Sequence, residues 1–295
     1  MVWGEVSDEH LRMTHYAPDS SAAAVILGDY GYAYFEDDGD LIFERHTRIK
    51  ILTEGGYGWG DVTIPYYAED KTQRVRDVDA QTYHLGPDGR TVTTALGRRD
   101  VFDEDVDGQW KQLRFTLPAL QPGAVIEYRY RIISAHARYL PSWTFQWGEP
   151  VLWSEYRADI PEIYRFVSHY QGALQPGIVE EEPRYRQMHW AMRVPDPSGA
   201  RRMEMARVSS ELRETAHRWV MQAAPALREE PFMTTPEDYR ARLHFQLAEI
   251  RPPAAPTVHV EFKGERFDLP AGNMPSTPVM TSWEQLADEL LASSR

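Results

Sequence analysis

The chain has 295 residues, a net charge of −13 and no cysteine. The lack of cysteine excludes disulfide bonds, thiolate metal sites and a cysteine nucleophile within these residues. The 32 basic residues form no dense run, so nucleic acid is not an expected partner. The longest apolar run, Ala22 to Leu27, is far shorter than the ~18 residues of a transmembrane helix, and no secretion signal is recognisable after Met1.

The first sixty residues predict a short helix followed by a β-hairpin. Ser7 precedes two acidic residues, the usual pattern of a helix N-terminus. A short apolar run from Ala22 to Leu27 leads into alternating tyrosines up to Tyr34. An acidic turn follows, and Leu41 to Leu52 resumes as a long strand, which predicts a hairpin. The glycines from Gly55 to Gly60 resemble a phosphate-binding loop, but Asp61 replaces the last glycine of G-x-G-x-x-G. A turn or bulge between strands is the favoured interpretation.

Alternating residues predict further strands in the next stretch. Val75 to Tyr83 and Thr91 to Ala95 flank a strong turn, and the acidic segment Asp100 to Asp107 is expected to be an exposed loop. The clearest pattern is Trp110 to Ile133, where alternation continues on both sides of Pro122-Gly123. It predicts two antiparallel strands joined by a turn, each with one apolar face that another layer must cover.

The predicted architecture is all-β, a large antiparallel β-sandwich followed by a smaller β region and a C-terminal helix. We place the sandwich at residues 1–159 and the second β region, packed on the first, at 160–250. Glu211 to Ala223 fits either a helix or a strand. Residues 251–281 are rich in proline and resemble a linker or wrapping arm. Residues 282–295 begin with a capping box and predict an amphipathic helix that leads toward a further domain.

One acidic segment resembles part of a calcium loop. Asp103, Asp105 and Asp107, followed by Gly108, match the first half of an EF-hand loop. Arg114 stands where the bidentate glutamate belongs, and a strand pattern follows instead of a helix. An acidic surface loop is therefore favoured, with a weak calcium site as the alternative. No other cofactor is indicated.

No complete catalytic motif is recognisable. The ten histidines are scattered, and neither H-E-x-x-H nor G-x-S-x-G occurs. Nothing in the sequence selects two of the 45 acidic residues as a glycosidase pair.

Four aromatic residues lie close together in the middle of the chain and are candidates for ligand binding. Trp143, Phe145, Trp147 and Trp153 could form a platform on which a sugar stacks. Large aromatics on one face of a strand more often belong to the core, and that interpretation is favoured.

Several short motifs follow one another in order over nearly the whole chain: Trp3-Gly4-x-Val6-Ser7, Arg48 to Gly56, Leu117-Pro118-x-Leu120, Pro122-Gly123-x-Val125-Ile126-Glu127-Tyr128, Trp143-x-Phe145-Gln146, Pro150-Val151, Ile160-Pro161, Pro225 to Thr234 and Asp238-Tyr239. In combination they resemble the domain of unknown function that precedes transglutaminase-like domains in bacterial envelope proteins, common in Bacteroidota.

This resemblance implies an all-β sandwich, a strand rather than a helix at residues 217–221, and a periplasmic, envelope or secreted location. It also implies a downstream transglutaminase-like domain of the same polypeptide as the main partner. That domain carries a Cys-His-Asp arrangement which nothing here matches, so no catalytic residue is transferred.

We therefore expect a non-catalytic module that serves as a scaffold or presents a substrate or partner to an attached transglutaminase-like or peptidase-like domain. The alternative is a cell-surface module that binds a carbohydrate or protein ligand, motivated by the aromatic residues Trp143 to Trp153. A free-standing hydrolase would need a cleft with converging titratable groups.

Overall fold

The computed structural model describes residues 1–37, 39–135, 139–195, 203–251, 253–254, 257–262, 264–270 and 276–278. These residues form an all-β protein, as predicted, with three sheets and one short α-helix. No helix within these ranges is long and apolar enough to cross a membrane.

The helix is α1 (Asp8–Arg12), and short 3-10 segments occur at Glu54–Gly60, Glu69–Lys71, Arg98–Asp100 and Pro236–Asp238. The strands are β1 (Ala24–Phe35), β2 (Leu41–Ile51), β3 (Asp61–Tyr67), β4 (Gln73–Leu85), β5 (Thr91–Ala95), β6 (Phe102–Asp105), β7 (Trp110–Thr116), β8 (Val125–Ser134), β9 (Trp143–Thr144), β10 (Val151–Pro161), β11 (Tyr164–Gln171), β12 (Ile178–Pro195), β13 (Met203–Ala224), β14 (Arg242–Ile250), β15 (Thr257–Phe262), β16 (Glu265–Pro270) and β17 (Thr277–Pro278).

The largest sheet has ten strands in the order β16-β15-β13-β10-β1-β2-β8-β4-β5, and β12 pairs with β13 beside this path. Strands β1 and β10 are parallel, whereas the other described pairs are antiparallel, so the sheet is mixed. The parallel pair joins β10 to the first hairpin and brings the second half of the chain into the same sheet.

Two smaller sheets cover one face of the large sheet. One has the order β3-β7-β6, and in the other β14 pairs with β11, β9 and β17. Phe115 of β7 meets Tyr128 of β8 edge to face, with ring centroids 6.4 Å apart. Phe245 of β14 lies 5.8 Å from Tyr156 of β10. Buried residues of all three sheets form one hydrophobic core between these layers.

The N-terminal segment covers part of the opposite face of the large sheet. The Ser7 side chain accepts a hydrogen bond from the His10 N–H at 3.2 Å, which confirms the predicted N-cap of α1. Leu11 packs there with Val25 and Val125. Lys50 is fully buried, and its ammonium donates to the carbonyls of Leu11 at 2.7 Å and of Gly123 at 2.5 Å.

The hairpin predicted at residues 110–133 is wrong, although both of its strands and its turn exist. Strand β7 pairs with β3 and β6, whereas β8 pairs with β2 and β4 in the large sheet. The Ala124 N–H donates to the Gln121 carbonyl at 3.0 Å, and Gly123 takes a φ of 86°. The turn therefore leads the chain from one layer to the other. Alternation predicts which face is buried, and it leaves the partner strand undetermined.

Two local predictions also differ from the structure. The acidic segment at residues 100–107 contains β6, which pairs with β7 instead of forming a loop. The glycines at 55–60 form a 3-10 segment rather than a turn or bulge. A Cβ on Gly56 would lie 2.5 Å from the Ala23 carbonyl oxygen, so close backbone approach explains that glycine.

The predicted boundary near Asp159 falls inside β10, and strands from both sides of it share the large sheet. Residues 217–221 lie in β13, as the resemblance implied, and the whole ambiguous segment 211–223 belongs to this strand. The predicted arm at 251–281 contributes β15 and β16 to the large sheet and β17 to the four-stranded sheet. The division of the chain into these regions stays a prediction. The helix predicted at 282–295 lies outside the described residues.

Candidate functional site

A cleft of about 290 Å³ opens between the two small sheets, above the large sheet. Thr63 of β3 belongs to one wall and Trp143 of β9 to the other, while Arg45 of β2 and Tyr130 of β8 line it from the large sheet. Trp147 lines it as well. Aromatic faces together with neutral hydroxyl and amide groups dominate the lining, a composition that suits an uncharged polar ligand.

An ion pair between partly buried Arg45 and fully buried Asp29 lies at the base of this cleft. Arg45 donates to Asp29 through Nε–Oδ1 at 2.9 Å and Nη2–Oδ2 at 2.7 Å, a bidentate arrangement. Asp29 is 1% exposed and also accepts a hydrogen bond from the Thr47 hydroxyl at 2.8 Å. Burial opposes the charge of Arg45, but the adjacent Asp29 outweighs it, so the pKa of Arg45 lies well above its ordinary value.

The guanidinium of Arg45 lies against both tryptophans of the cleft. Its central carbon is 5.1 Å from the Trp143 ring centroid and 5.5 Å from that of Trp147. Trp143 stacks on Tyr156 at 5.4 Å and donates its indole N–H to the Ser154 hydroxyl at 3.0 Å. These contacts fix the position of Trp143, and Asp29 balances the charge of Arg45.

The four aromatic residues predicted as a platform do not share one surface. Trp143 and Phe145 are 2% and 1% exposed and belong to the hydrophobic core, as the favoured interpretation held. Trp147 is half-buried, and it lines the cleft together with Trp143. Trp153 lies on the opposite face of the large sheet, where its indole donates to Glu155 at 3.0 Å. Only Trp143 and Trp147 of the predicted set therefore line the same cleft.

The three aspartates of the calcium-like segment hold local structure. Asp103 accepts a hydrogen bond from the Tyr66 hydroxyl at 2.9 Å. Asp105 accepts from the Gly108 N–H at 2.8 Å, and Asp107 accepts from the Trp110 N–H at 2.8 Å, so both stabilise the turn between β6 and β7. Among the described residues, no three His, Asp or Glu side chains are grouped to hold a metal ion.

A second buried carboxylate organises the opposite face of the large sheet. Glu127 is fully buried and accepts hydrogen bonds from His46 at 2.8 Å, from Arg48 at 2.5 Å and from the Tyr83 hydroxyl at 2.5 Å. The Gly4 N–H also donates to it, at 3.1 Å. Burial alone would raise the pKa of Glu127, but these hydrogen bonds lower it to about 2. The N-terminal segment is thereby attached to β8.

Neither Asp29 nor Glu127 was predicted from the sequence to be a buried carboxylate, although one signal for Asp29 was present. Arg45 and Thr47 occupy the positions between Phe43 and Ile49 that apolar alternation would fill. Polar residues in an apolar register indicate a buried partner, which here is Asp29. The sequence alone gives no indication that the partner comes from β1.

Comparison with known proteins agrees with this architecture. No curated protein matches the chain. A putative protease from Parabacteroides distasonis ATCC 8503 has a similar structure, with a TM-score of 0.52 and 16% identity, over 80% of this chain and 41% of that one. The chain thus spans less than half the length of that protein, and the likeness shows a common fold. The family described as a domain of unknown function with a solved structure (DUF3857) matches residues 37–198, more than half of the chain, which therefore belongs to this family.

Proposed function

We propose that this chain is a non-catalytic accessory module of a longer transglutaminase-like or peptidase-like envelope protein. It serves there as a scaffold that holds a substrate or partner for the attached domain. One observation carries the proposal: the similarity to the Parabacteroides distasonis protein extends over 80% of this chain but only 41% of the other, so the same fold forms one part of a larger protein.

The arrangement of charged groups in the cleft supports a binding role. Arg45 and Asp29 bind each other, and Trp143 and Trp147 pack against the guanidinium. A general acid or base needs a titratable group that can exchange a proton with the substrate. In this cleft the charges of Arg45 and Asp29 are held in one ion pair, whereas the partly exposed ring of Trp147 is available for contact. Such a site favours recognition of a ligand over proton transfer.

The envelope location rests on the sequence motifs quoted above, such as Pro122-Gly123-x-Val125-Ile126-Glu127-Tyr128, which resemble domains found before transglutaminase-like domains in envelope proteins. In that setting the module and the attached domain act on the same molecule. The absence of cysteine fits either redox environment and does not select a compartment.

The coding sequence downstream of residue 295 tests the proposal. We expect it to continue in frame into a domain that supplies Cys, His and Asp. A stop codon directly after Arg295, or a continuation without these residues, would contradict the proposal. In the full-length protein, replacing the cysteine of the attached domain should abolish all turnover, and residual turnover that maps to residues 1–295 would also contradict it.

A second candidate function is saccharide binding in the cleft. The observation that favours it is the partly exposed indole of Trp147, which lines the cleft beside hydroxyl and amide groups. A glycan array tests it with Trp147→Ala, and Trp153→Ala on the opposite face is the matched control. Binding that is lost only in Trp147→Ala supports this function. A blank array, or equal binding by both variants, rejects it.

A further inference from the structure

Strand β11 forms one edge of the four-stranded sheet. Its eight residues, Tyr164–Gln171, pair with β14 on one side, and no other described strand pairs with them. Alternate residues of an antiparallel edge strand direct their N–H and C=O groups away from the sheet. The unpaired side of β11 therefore offers a row of main-chain donors and acceptors about 20 Å long from Tyr164 to Tyr170.

The other edge strands carry features that discourage strand pairing. β16 contains Asp268 and ends at Pro270, β3 contains Pro65, and β12 contains Pro183 after a run of three glutamates. β6 contains three acidic residues, and β5 is only five residues long. Charges, prolines and short length are the usual means of protecting an edge. β11 has no proline, and Arg165 near its start is its only Lys, Arg, Asp or Glu residue.

A groove of about 420 Å³ runs along β11, and part of it is aromatic. Phe166 and Tyr170 project from β11, and His217 and Trp219 from β13. His217 and Trp219 stack with centroids 5.2 Å apart and planes 4° from parallel. Val179 of β12 lines the groove and is 52% exposed, and Tyr170 is 38% exposed.

The groove runs parallel to the unpaired edge of β11. The Glu162 N–H, just before β11, donates to the Arg213 carbonyl at 2.9 Å, and Tyr170, near the end of β11, lines the same groove as Trp219. Strand β13 therefore runs alongside β11 from Arg213 to Trp219. A strand added to the edge of β11 would pass over this stretch, with every second side chain toward the aromatic rings.

We propose that the edge of β11 binds an extended peptide segment by β-strand addition, with the apolar side chains of that segment in the groove beside Trp219 and His217. Main-chain hydrogen bonds to β11 would supply affinity, and the aromatic groove would select apolar residues at alternate positions. The inference goes beyond the proposed function, because it concerns a different surface from the cleft of Trp143 and Trp147 and holds whether or not that cleft binds a ligand.

The probe for this site is a phage-displayed library of random dodecapeptides, selected on the whole chain. Ser168→Lys places a long charged side chain in the groove from the middle of β11. Val167→Lys changes the neighbouring residue, which is 47% exposed and does not line the groove, and is the matched control. We expect a selected peptide to bind Ser168→Lys about tenfold more weakly or worse, and to bind Val167→Lys within about twofold of the unmodified chain.

N-methylation of the selected peptide separates strand addition from side-chain binding. Methyl groups on alternate amides remove the donors on one side of the peptide strand. Methylation of one alternating set of peptide amides should abolish binding, and methylation of the other set should not. Hydrogen exchange of the amides of residues 164–171 should slow in the complex.

Three results would overturn the inference. The first is a selection that enriches no peptide. The second is equal binding to Ser168→Lys and Val167→Lys, or equal effects of the two methylation sets. The third is strong amide protection on both sides of β11 in the free protein, equal to that of β14. Circular dichroism of both lysine variants confirms that each is folded.

Discussion

Arg45 and Asp29 lie on the paired strands β2 and β1, and their side chains form two hydrogen bonds of 2.9 and 2.7 Å on the face that the small sheets cover. Removing two charges from water costs free energy that only close pairing and further hydrogen bonds offset. The Thr47 hydroxyl and the two tryptophans complete that environment. The pair thus holds Arg45 in place against the two tryptophans that line the cleft.

Breaking this pair should cost far more stability than breaking an exposed one. We predict that Asp29→Ala lowers the free energy of unfolding by about 3–5 kcal/mol, because it leaves the Arg45 charge without its partner. Asp79→Ala, which breaks the exposed Arg129–Asp79 pair, should cost only about 0–1 kcal/mol. Urea denaturation of the unmodified chain and of the two variants measures both losses of unfolding free energy. Equal losses in the two variants would contradict the assignment of a buried pair.

The second prediction concerns Gly31, which lies under the stacked rings of the cleft. A Cβ at this position would come within 2.7 Å of Trp143 Cε3 and 2.9 Å of Tyr156 Cδ2. Gly31→Ala should therefore displace the rings and destabilise the fold by about 1–3 kcal/mol. Gly58→Ala is the control, since nothing lies within 4 Å of its Cβ position. Near-ultraviolet circular dichroism should change only in Gly31→Ala, and an unchanged spectrum would count against this packing.

The third prediction concerns acid stability and Glu127. Its pKa falls from 4.5 to about 2 on folding, so the folded state binds fewer protons than the unfolded state between these values. Glu127 therefore stabilises the fold above about pH 4.5, and this stabilisation is lost as the pH falls toward 2.

The test compares the unfolding free energies of the unmodified chain and Glu127→Gln over this range. Their difference should be largest near neutral pH and should shrink steadily below pH 4.5, since a protonated glutamate resembles glutamine. A difference that stays constant with pH would show that the carboxylate does not titrate with a lowered pKa.

The fourth prediction concerns alkaline stability and Lys50. Burial lowers its pKa from 10.5 to about 8, so the folded state binds fewer protons than the unfolded state between these values. Unfolding free energy should therefore rise, through Lys50, as the pH increases from about 8 to 10.5. Lys50→Met should lack this contribution. Subtracting the pH profile of Lys50→Met from that of the unmodified chain removes the contribution of tyrosine titration, which both proteins share. Parallel profiles would contradict the prediction.

The sequence predicted what depends on neighbours along the chain. The Ser7 cap, the hairpin of β1 and β2 and the turn at Gln121 to Ala124 are local, and each exists. The pairing of β7 with β3 and β6 is not local, and alternation alone gave no way to choose it. The apolar faces of β7 and β8 do meet, through Phe115 and Tyr128, but across two layers.

The candidate site could be predicted only in part, for similar reasons. Between Phe145 and Pro150 the chain leaves regular strand geometry, so alternation cannot be counted from Trp143 to Trp153. That break puts Trp153 on the opposite face from Trp143. The polar residues at Arg45 and Thr47 were visible as an interruption of an apolar face, whereas their partner Asp29 becomes identifiable only with the register of β1 and β2.

The size of the native protein tests the central claim most directly. An antibody raised against this chain should detect, in the cells that make it, a polypeptide well above the mass of its 295 residues. Mass spectrometry of that polypeptide should find cysteine-containing peptides beyond Arg295. A native protein of the size of this chain, with no peptides beyond it, would contradict the assignment of an accessory module.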